Sequence, residues 1–520
     1  MAVLSSFLLY TGFLILITRR SDMKTIPIEA FREGNRQLGS WTIFLMVTAL
    51  WSSSVIVVEI DTAYRWGVGA IWYGISVGLM SLLVSLLIPW FLRHHYVSNS
   101  DLLGQRFGGT VRRLTGIVIG ITFPIFALSN ALAAGALVHI LLHWPLWVTL
   151  LITTASLVAY IQFAGIMSLA KTQGMNLAMV IISLILAGIK LAQQVRHHHG
   201  PFLDIPRPTF WHLFGISHGT IWVWFGMNIL NVFSAQAEIQ TVAASKTRLA
   251  GQRAIWLSTA LLILITIISV WLGIQARILM GYSNQDGLMA FFNLILRGSS
   301  SGFDVIFSLG VWALALTWCG PLLFSGAISV GSDVINRSRS VRTLRWALII
   351  EAILMVLYTT MRPDNIAWWR VFGLTLRNAA VVGPTMAVIL WDDLNPTAVT
   401  IAIIGGIGVG LGFNAWTDFS VTHFVWGINP MWTAATTSFI ILALSRLLTQ
   451  HQYGSAFAGT GLWLLFAILL IKAEYKIFSP GLAGLGLLVL GMSFMIFAWW
   501  RTRSSDSPDI ATSILKPEGH

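Results

Sequence analysis

Long apolar runs, separated by short basic loops, set the pattern of this chain. A helix needs about 20 apolar residues to cross the hydrocarbon core of a bilayer. By that measure the sequence predicts about fifteen spans: 2–18, 41–64, 68–92, 114–141, 145–163, 175–195, 219–237, 254–276, 302–330, 345–361, 366–391, 396–414, 429–446, 460–473 and 480–500. The stretch 460–473 is the shortest of them. A polar stretch, 501–520, follows and is expected to be a disordered cytoplasmic tail. The first run, Ala2 to Thr18, has the length of a signal peptide. No basic residue precedes it and Arg19, Arg20 and Lys24 follow it, so the expectation is a retained helix with its N-terminus outside.

Composition sharpens the class. The 520 residues are 56% hydrophobic and 10% charged, against about 25% charged in a soluble globular protein. The chain reads as an all-α polytopic membrane protein, with one transmembrane domain over residues 1–500 and lipid as its surroundings. Its net charge of +12 does not point to nucleic acid, because the basic residues fall in alternate loops. These hold Arg19 to Arg36, then Arg93 to Arg113, then Lys246 to Arg253, then Arg337 to Arg345. Such loops face the cytoplasm, which predicts a multi-pass cell-membrane protein with its N-terminus outside and C-terminus inside. The opposite loops at 196–218 and 277–301 are too short to be catalytic domains, and no enzyme activity is expected. The single cysteine, Cys319, reads as a packed thiol. His197, His198 and His199 follow one another with no acid or cysteine at matching spacing, so no metal site is expected. Glycines 405, 406, 408, 410 and 412 read as close helix packing.

Charged residues inside apolar spans are costly and usually face a cavity, a partner or a substrate path. Glu59 and Asp61 lie in the run from Thr42 to Tyr73, beyond the polar triplet Ser52-Ser53-Ser54. On a regular helix two residues apart means about 200° of rotation, so both acids face one cavity only if the helix is broken. They can carry a coupling proton, bind a cationic solute or gate the path with an arginine. The plainer reading places Asp61 at the outer interface beside Arg65, with only Glu59 buried. Burial favours the protonated carboxyl, which suits a proton carrier. Arg377 lies inside the span VFGLTLRNAAVVGP. Asn228 and Asn231 lie in WFGMNILNVF, where carboxamides offer donors and acceptors to a solute or to a neighbouring helix. Glu351 is expected to be paired or to snorkel towards the cytoplasmic end of its span. Many of the 24 tryptophans fall near membrane interfaces, whereas Trp51, Trp222, Trp224 and Trp318 are candidates for pocket walls or core.

Several segments occur in an order that resembles the sodium:solute symporter family. SDLLGQRFGGTVRRL, 100–114, is similar to its "EFLxxRFGxxVRxL" loop. IQFAGIMSLAKTQGMNLAMVII, 161–182, resembles its "GGxxAVxxTDxxQ" loop and the helix that follows. QAEIQTVAASKTRLAGQRAIW, 236–256, resembles "QxxxQRxxAAKxxxxAxxG", and Asp286 with GLMAFFNLIL resembles the segment before the eighth core helix. The stretch 381–412 resembles "GPxxxGLxWxRxNxxGAxAGxxxG", and SRLLT, 445–449, resembles "SLLT".

The resemblance implies a LeuT-type fold: two inverted five-helix repeats over about 41–391, one extra helix before them and about four after. It implies breaks in core helices one and six, hence a solute site near 52–59 and 226–231, where Gly226 would permit the second break. It also implies that helices one and ten approach, so that Arg377 can pair with Glu59 or Asp61 as a gate. The candidate solute-binding residues are then Trp51, Ser53, Glu59, Trp224, Asn228, Asn231, Trp318 and Arg377. The candidates for ion coupling are Ser52, Glu59, Asp61 and Thr317. Sodium-using members carry a Ser-Thr pair in helix eight, whereas this chain has Thr317-Trp318, followed by Pro321. An indole offers no oxygen to a hard cation. The glycine-proline region of helix one is also replaced, by Glu59-Ile60-Asp61-Thr62. The expected function is an ion-coupled symporter that imports a small polar or charged organic solute, with no cofactor beyond a coupling ion, proton or sodium. The alternative is a membrane sensor that keeps the fold without transport.

Overall fold

The structure is a computed structural model. It describes residues 2–19, 26–142, 144–196, 208–281, 286–335, 340–361, 366–420, 423–474 and 482–502. The histidine triplet at 197–199 and the tail from 503 lie outside the described residues.

Every described element is helical apart from one isolated parallel bridge, Leu38 to Ser245. In chain order the helices are α1 (Ala2–Thr18), α2 (Ile28–Glu33), α3 (Ser40–Trp66), α4 (Ile71–Arg93), α5 (Asn99–Phe107), α6 (Gly109–Leu142), α7 (Leu146–Ala164) and α8 (Ile166–Arg196). Then come α9 (His218–Ser234), α10 (Gln236–Ala243), α11 (Arg248–Met280), α12 (Gly287–Leu296), α13 (Ser301–Ile328), α14 (Val341–Met361) and α15 (Ile366–Leu390). Last are α16 (Pro396–Trp416), α17 (Pro430–Thr449), α18 (Tyr453–Glu474) and α19 (Leu482–Thr502). Each of the fifteen expected spans falls on a long helix, except that 219–237 is cut at Ala235. Ten helical stretches among the described residues are long and apolar enough to cross a membrane, one of them holding both α3 and α4.

Two expectations about helix breaks are corrected. α3 runs unbroken through 27 residues, because nothing from Ser40 to Trp66 is glycine or proline. The other break falls at Ala235 (φ −75°, ψ 61°), between α9 and α10, and not at Gly226. A Cβ on Gly226 would lie 2.5 Å from Leu485 and 3.0 Å from the Trp432 ring, so that glycine serves close packing. α13 ends in a π-helical turn, Ser329–Val334, a local widening of the helix that recurs at functional sites.

α3 packs along α11, while α13 packs against both α6 and α8. α15 lies against α6, α9 and α17. Together α3, α6, α9, α13 and α15 surround the centre of the molecule. Cys319 is buried there, its thiol 3.1 Å from the Ala127 carbonyl.

Candidate functional site

These helices enclose a cavity of about 700 Å³, within the size range of small-molecule sites. Its lining runs from Asp286, whose side chain is half exposed, to the fully buried Glu238. Aromatic rings form much of the wall. Trp51 and Trp318 meet edge to face at 5.7 Å, and Tyr73 and Trp224 do so at 5.6 Å. The Trp318 indole is anchored by its 2.8 Å bond to the Phe126 carbonyl.

α15 supplies the positive charge. Arg370 donates to the Ser54 hydroxyl at 3.1 Å and lies 5.9 Å over the Trp318 ring. Arg377 is buried, lies 4.6 Å over Phe126 and donates to the Asn231 carboxamide oxygen. Asn231 in turn donates to Asn228 at 3.3 Å, Asn228 to Ser76 at 2.8 Å, and Ser76 to the Tyr73 carbonyl at 2.7 Å. The chain of donors runs one way, so both carboxamide oxygens are already engaged from within the protein.

At the far end Glu238, on the first turn of α10, accepts the Trp51 indole N–H at 2.9 Å. Beyond it the structure is latched. Gln236 donates to the Ser325 and Ser329 hydroxyls, both at 3.0 Å, and accepts the Asn99 backbone N–H at 2.8 Å. Asp333, in the π turn, accepts from Ser98 at 2.6 Å and Ser100 at 2.7 Å. Arg112 approaches Asp333 to 3.9 Å and pairs with Asp101.

Of the residues singled out from sequence, Trp51, Trp224, Asn228, Asn231, Trp318, Arg377 and Asp61 line the cavity. Ser52, Ser53, Glu59 and Thr317 do not. Ser52 bonds its own helix, at the Ala49 carbonyl. Ser53 bridges α3 to the Leu314 carbonyl at 2.5 Å and accepts from Asn130, while the next residue, Ser54, faces the cavity. Glu59 is buried between α3, α4 and α11, where it accepts the Gly74 N–H at 2.9 Å and lies beside Thr266. The Thr317 hydroxyl is taken by the Leu314 carbonyl at 2.8 Å.

Two sequence expectations need correction. Arg377 pairs with neither acid in this conformation: Asp61 is bound by Arg65 at 3.1 Å and by the Gly287 N–H at 2.7 Å. Because α3 is unbroken, Glu59 and Asp61 diverge, which is the plainer reading: Asp61 sits beside Arg65 and Glu59 is buried. Glu351 neither snorkels nor pairs. It is buried, and neither of its carboxyl oxygens has a hydrogen-bond partner among the described residues. Trp222, for its part, is half exposed and lies away from the cavity.

Sequence reasoning passed over Arg370, Tyr73 and Glu238, and named Ser54 only within the serine triplet. The signal for Arg370 was present, since it precedes Arg377 by seven residues, two helical turns, and so shares its face. Glu238 was hidden in a stretch that reads as a loop.

No family model matches this sequence. No protein of curated function matches it either. Solved structures do match. A Na+-coupled sialic acid symporter, in a substrate-bound outward-open state, superposes with a TM-score of 0.64 at 14% identity, covering 85% of this chain and 97% of that one. Mhp1, a nucleobase-cation-symport-1 family transporter with bromovinylhydantoin bound, gives 0.50 at 15% identity, covering 94% and 98%. At such identities the likeness concerns the fold: this chain has the LeuT-type fold of these transporters.

Proposed function

We propose that the chain is a secondary active transporter, a divergent relative of the sodium:solute symporters, that imports a small organic solute by alternating access. The observation that carries this reading is the cavity itself. It sits between the helices of a transporter fold, reaches half-exposed Asp286 at one end and is closed behind Glu238 by the Gln236 and Asp333 latches. A site reached from one side and latched on the other is what one half of an alternating-access cycle requires.

The coupling ion in this reading is the proton. The family's sodium site uses backbone carbonyls freed by a broken helix one and two hydroxyls on helix eight. Here α3 keeps its carbonyls in the helix, Thr317 bonds Leu314, and Trp318 bonds Phe126. Glu59 and Glu238 are instead buried carboxyls without a cation within 4 Å among the described residues. The altered ion site also suits the second reading, a sensor that binds solute without moving it.

Proteoliposomes separate the two. A panel of organic acids, amides and amines is offered under an imposed proton gradient, with sodium or choline as the bulk cation. Gradient-driven accumulation that ignores sodium supports proton-coupled transport. Binding without uptake in either bulk cation supports the sensor.

A further inference from the structure

The geometry points to an organic anion as the solute, with a carboxylate-like group held against α15 by Arg377, Arg370 adding positive charge two turns away, and an apolar body against the tryptophans. This rests on the reading above, in which the cavity holds the solute.

The charge balance of the lining is the first argument. Neither Arg370 nor Arg377 has a carboxylate within 4 Å among the described residues. The acids at the half-exposed end are served by another cation, since Arg65 lies 3.1 Å from Asp61 and 3.7 Å from Asp286. Glu238, at the buried end, accepts from Trp51 instead. A buried arginine inside a membrane protein without an acid is expensive, and such residues face a cavity and mark substrate paths, where a ligand can supply the counter-charge.

The second argument is the supply of donors. Arg377 lines the cavity, and its buried Nε has no hydrogen-bond partner among the described residues, so the guanidinium has donor capacity that the protein leaves unused. The one-way chain through Asn231, Asn228 and Ser76 leaves the carboxamide oxygens occupied and amide N–H groups to spare. Among the described residues the Arg370 guanidinium donates to a serine hydroxyl and to no carboxylate. This side of the cavity therefore offers charged and neutral donors but few acceptors, which matches a carboxylate, an acceptor-only group.

The third argument is spacing. Seven residues put the two guanidinium stems on one face of α15, about 10 Å apart along the axis. Both side chains lie over rings, Phe126 and Trp318, which leaves aromatic surface beside each charge. An aryl or alicyclic acid fits that pairing of charge with ring surface.

The test is thermal unfolding of the purified full chain with phenylacetate, naphthylacetate and indole-3-acetate, each compared with its primary amide. Ligands that bind the native state raise the unfolding midpoint. At least one acid is expected to do so where its amide does not. Arg377→Gln should weaken that acid about ten- to a hundredfold, the effect of losing a charged hydrogen bond. Arg370→Gln, at a less buried position, provides a second variant in case Arg377→Gln does not fold. The inference is overturned if amides stabilise as well as acids, if no acid stabilises, or if the acid effect survives in the folded arginine variants. Acids that bind but are never taken up into vesicles would defeat the transport reading and leave this one standing. Uptake of a neutral or cationic solute, indifferent to both arginines, would do the reverse.

Discussion

The indole N–H of Trp51 donates to the carboxyl of Glu238 over 2.9 Å, tying the middle of α3 to the first turn of α10. The bond lies just beyond the interruption at Ala235, where the cavity lining turns into the latched end. It also sets the ring that meets Trp318 edge to face.

Removing that donor should leave a buried acceptor short of a partner. Trp51→Phe is expected to cost about 1–3 kcal/mol of stability. Glu238→Gln, whose amide oxygen still accepts the indole, should cost less. A double-mutant cycle on thermal unfolding checks this, with a coupling energy above about 0.5 kcal/mol expected. Strictly additive effects would show that the bond contributes little.

Glu59 owes its seat to a glycine. A Cβ on Gly74 would lie 2.0 Å from the Thr266 hydroxyl and 2.5 Å from a Glu59 carboxyl oxygen. Gly74→Ala is therefore expected to destabilise by about 1–3 kcal/mol through overpacking. Gly408→Ala, where an added Cβ meets nothing within 4 Å, should be neutral or better. Unfolding midpoints of the two variants make the comparison.

The latch beyond the cavity should respond to loss of one charge. Asp333 is nearly fully buried and takes bonds from Ser98 and Ser100 on the segment that leads into α5. Asp333→Ala is expected to speed amide hydrogen exchange over 99–107 about tenfold or more, as loss of charge-assisted bonds implies. Exchange over α17 should not change.

Sodium should be without effect on the solute-induced rise in unfolding midpoint when it replaces choline at equal ionic strength. Thr317→Val should leave that indifference intact, because its hydroxyl already bonds within α13. A sodium-dependent rise that Thr317→Val abolishes would restore an ion site on that helix.

The long helices were legible because an apolar run of membrane length has few alternatives. Resemblance to a known family led to the right fold but to the wrong details of the broken helices. α3 lacks any glycine or proline, and that absence argued for continuity more strongly than analogy argued for a break. The true break at Ala235 has no such marker, so nothing local announced it. Trp51, Trp318, Asn231 and Arg377 were recognisable as unusual residues within apolar helices. Which serine of the triplet faces the cavity was not, because neighbouring residues differ by about 100° on a helix and only the tertiary packing chooses among them. Glu59 misled for a related reason: a buried acid marks a polar interior, and here that interior lies between α4 and α11 rather than at the cavity.

The central claim is that one cavity serves both sides of the membrane in turn. Met227 lines it, and Cys319, the single cysteine of the sequence, is buried. The direct measurement is labelling of Met227→Cys, in the Cys319→Ser background, by a membrane-impermeant maleimide in right-side-out and inside-out vesicles. Alternating access predicts labelling from both sides, with Asp333→Ala raising the rate on the latched side. Labelling from one side only, unchanged when the latch is cut by Asp333→Ala, would contradict it.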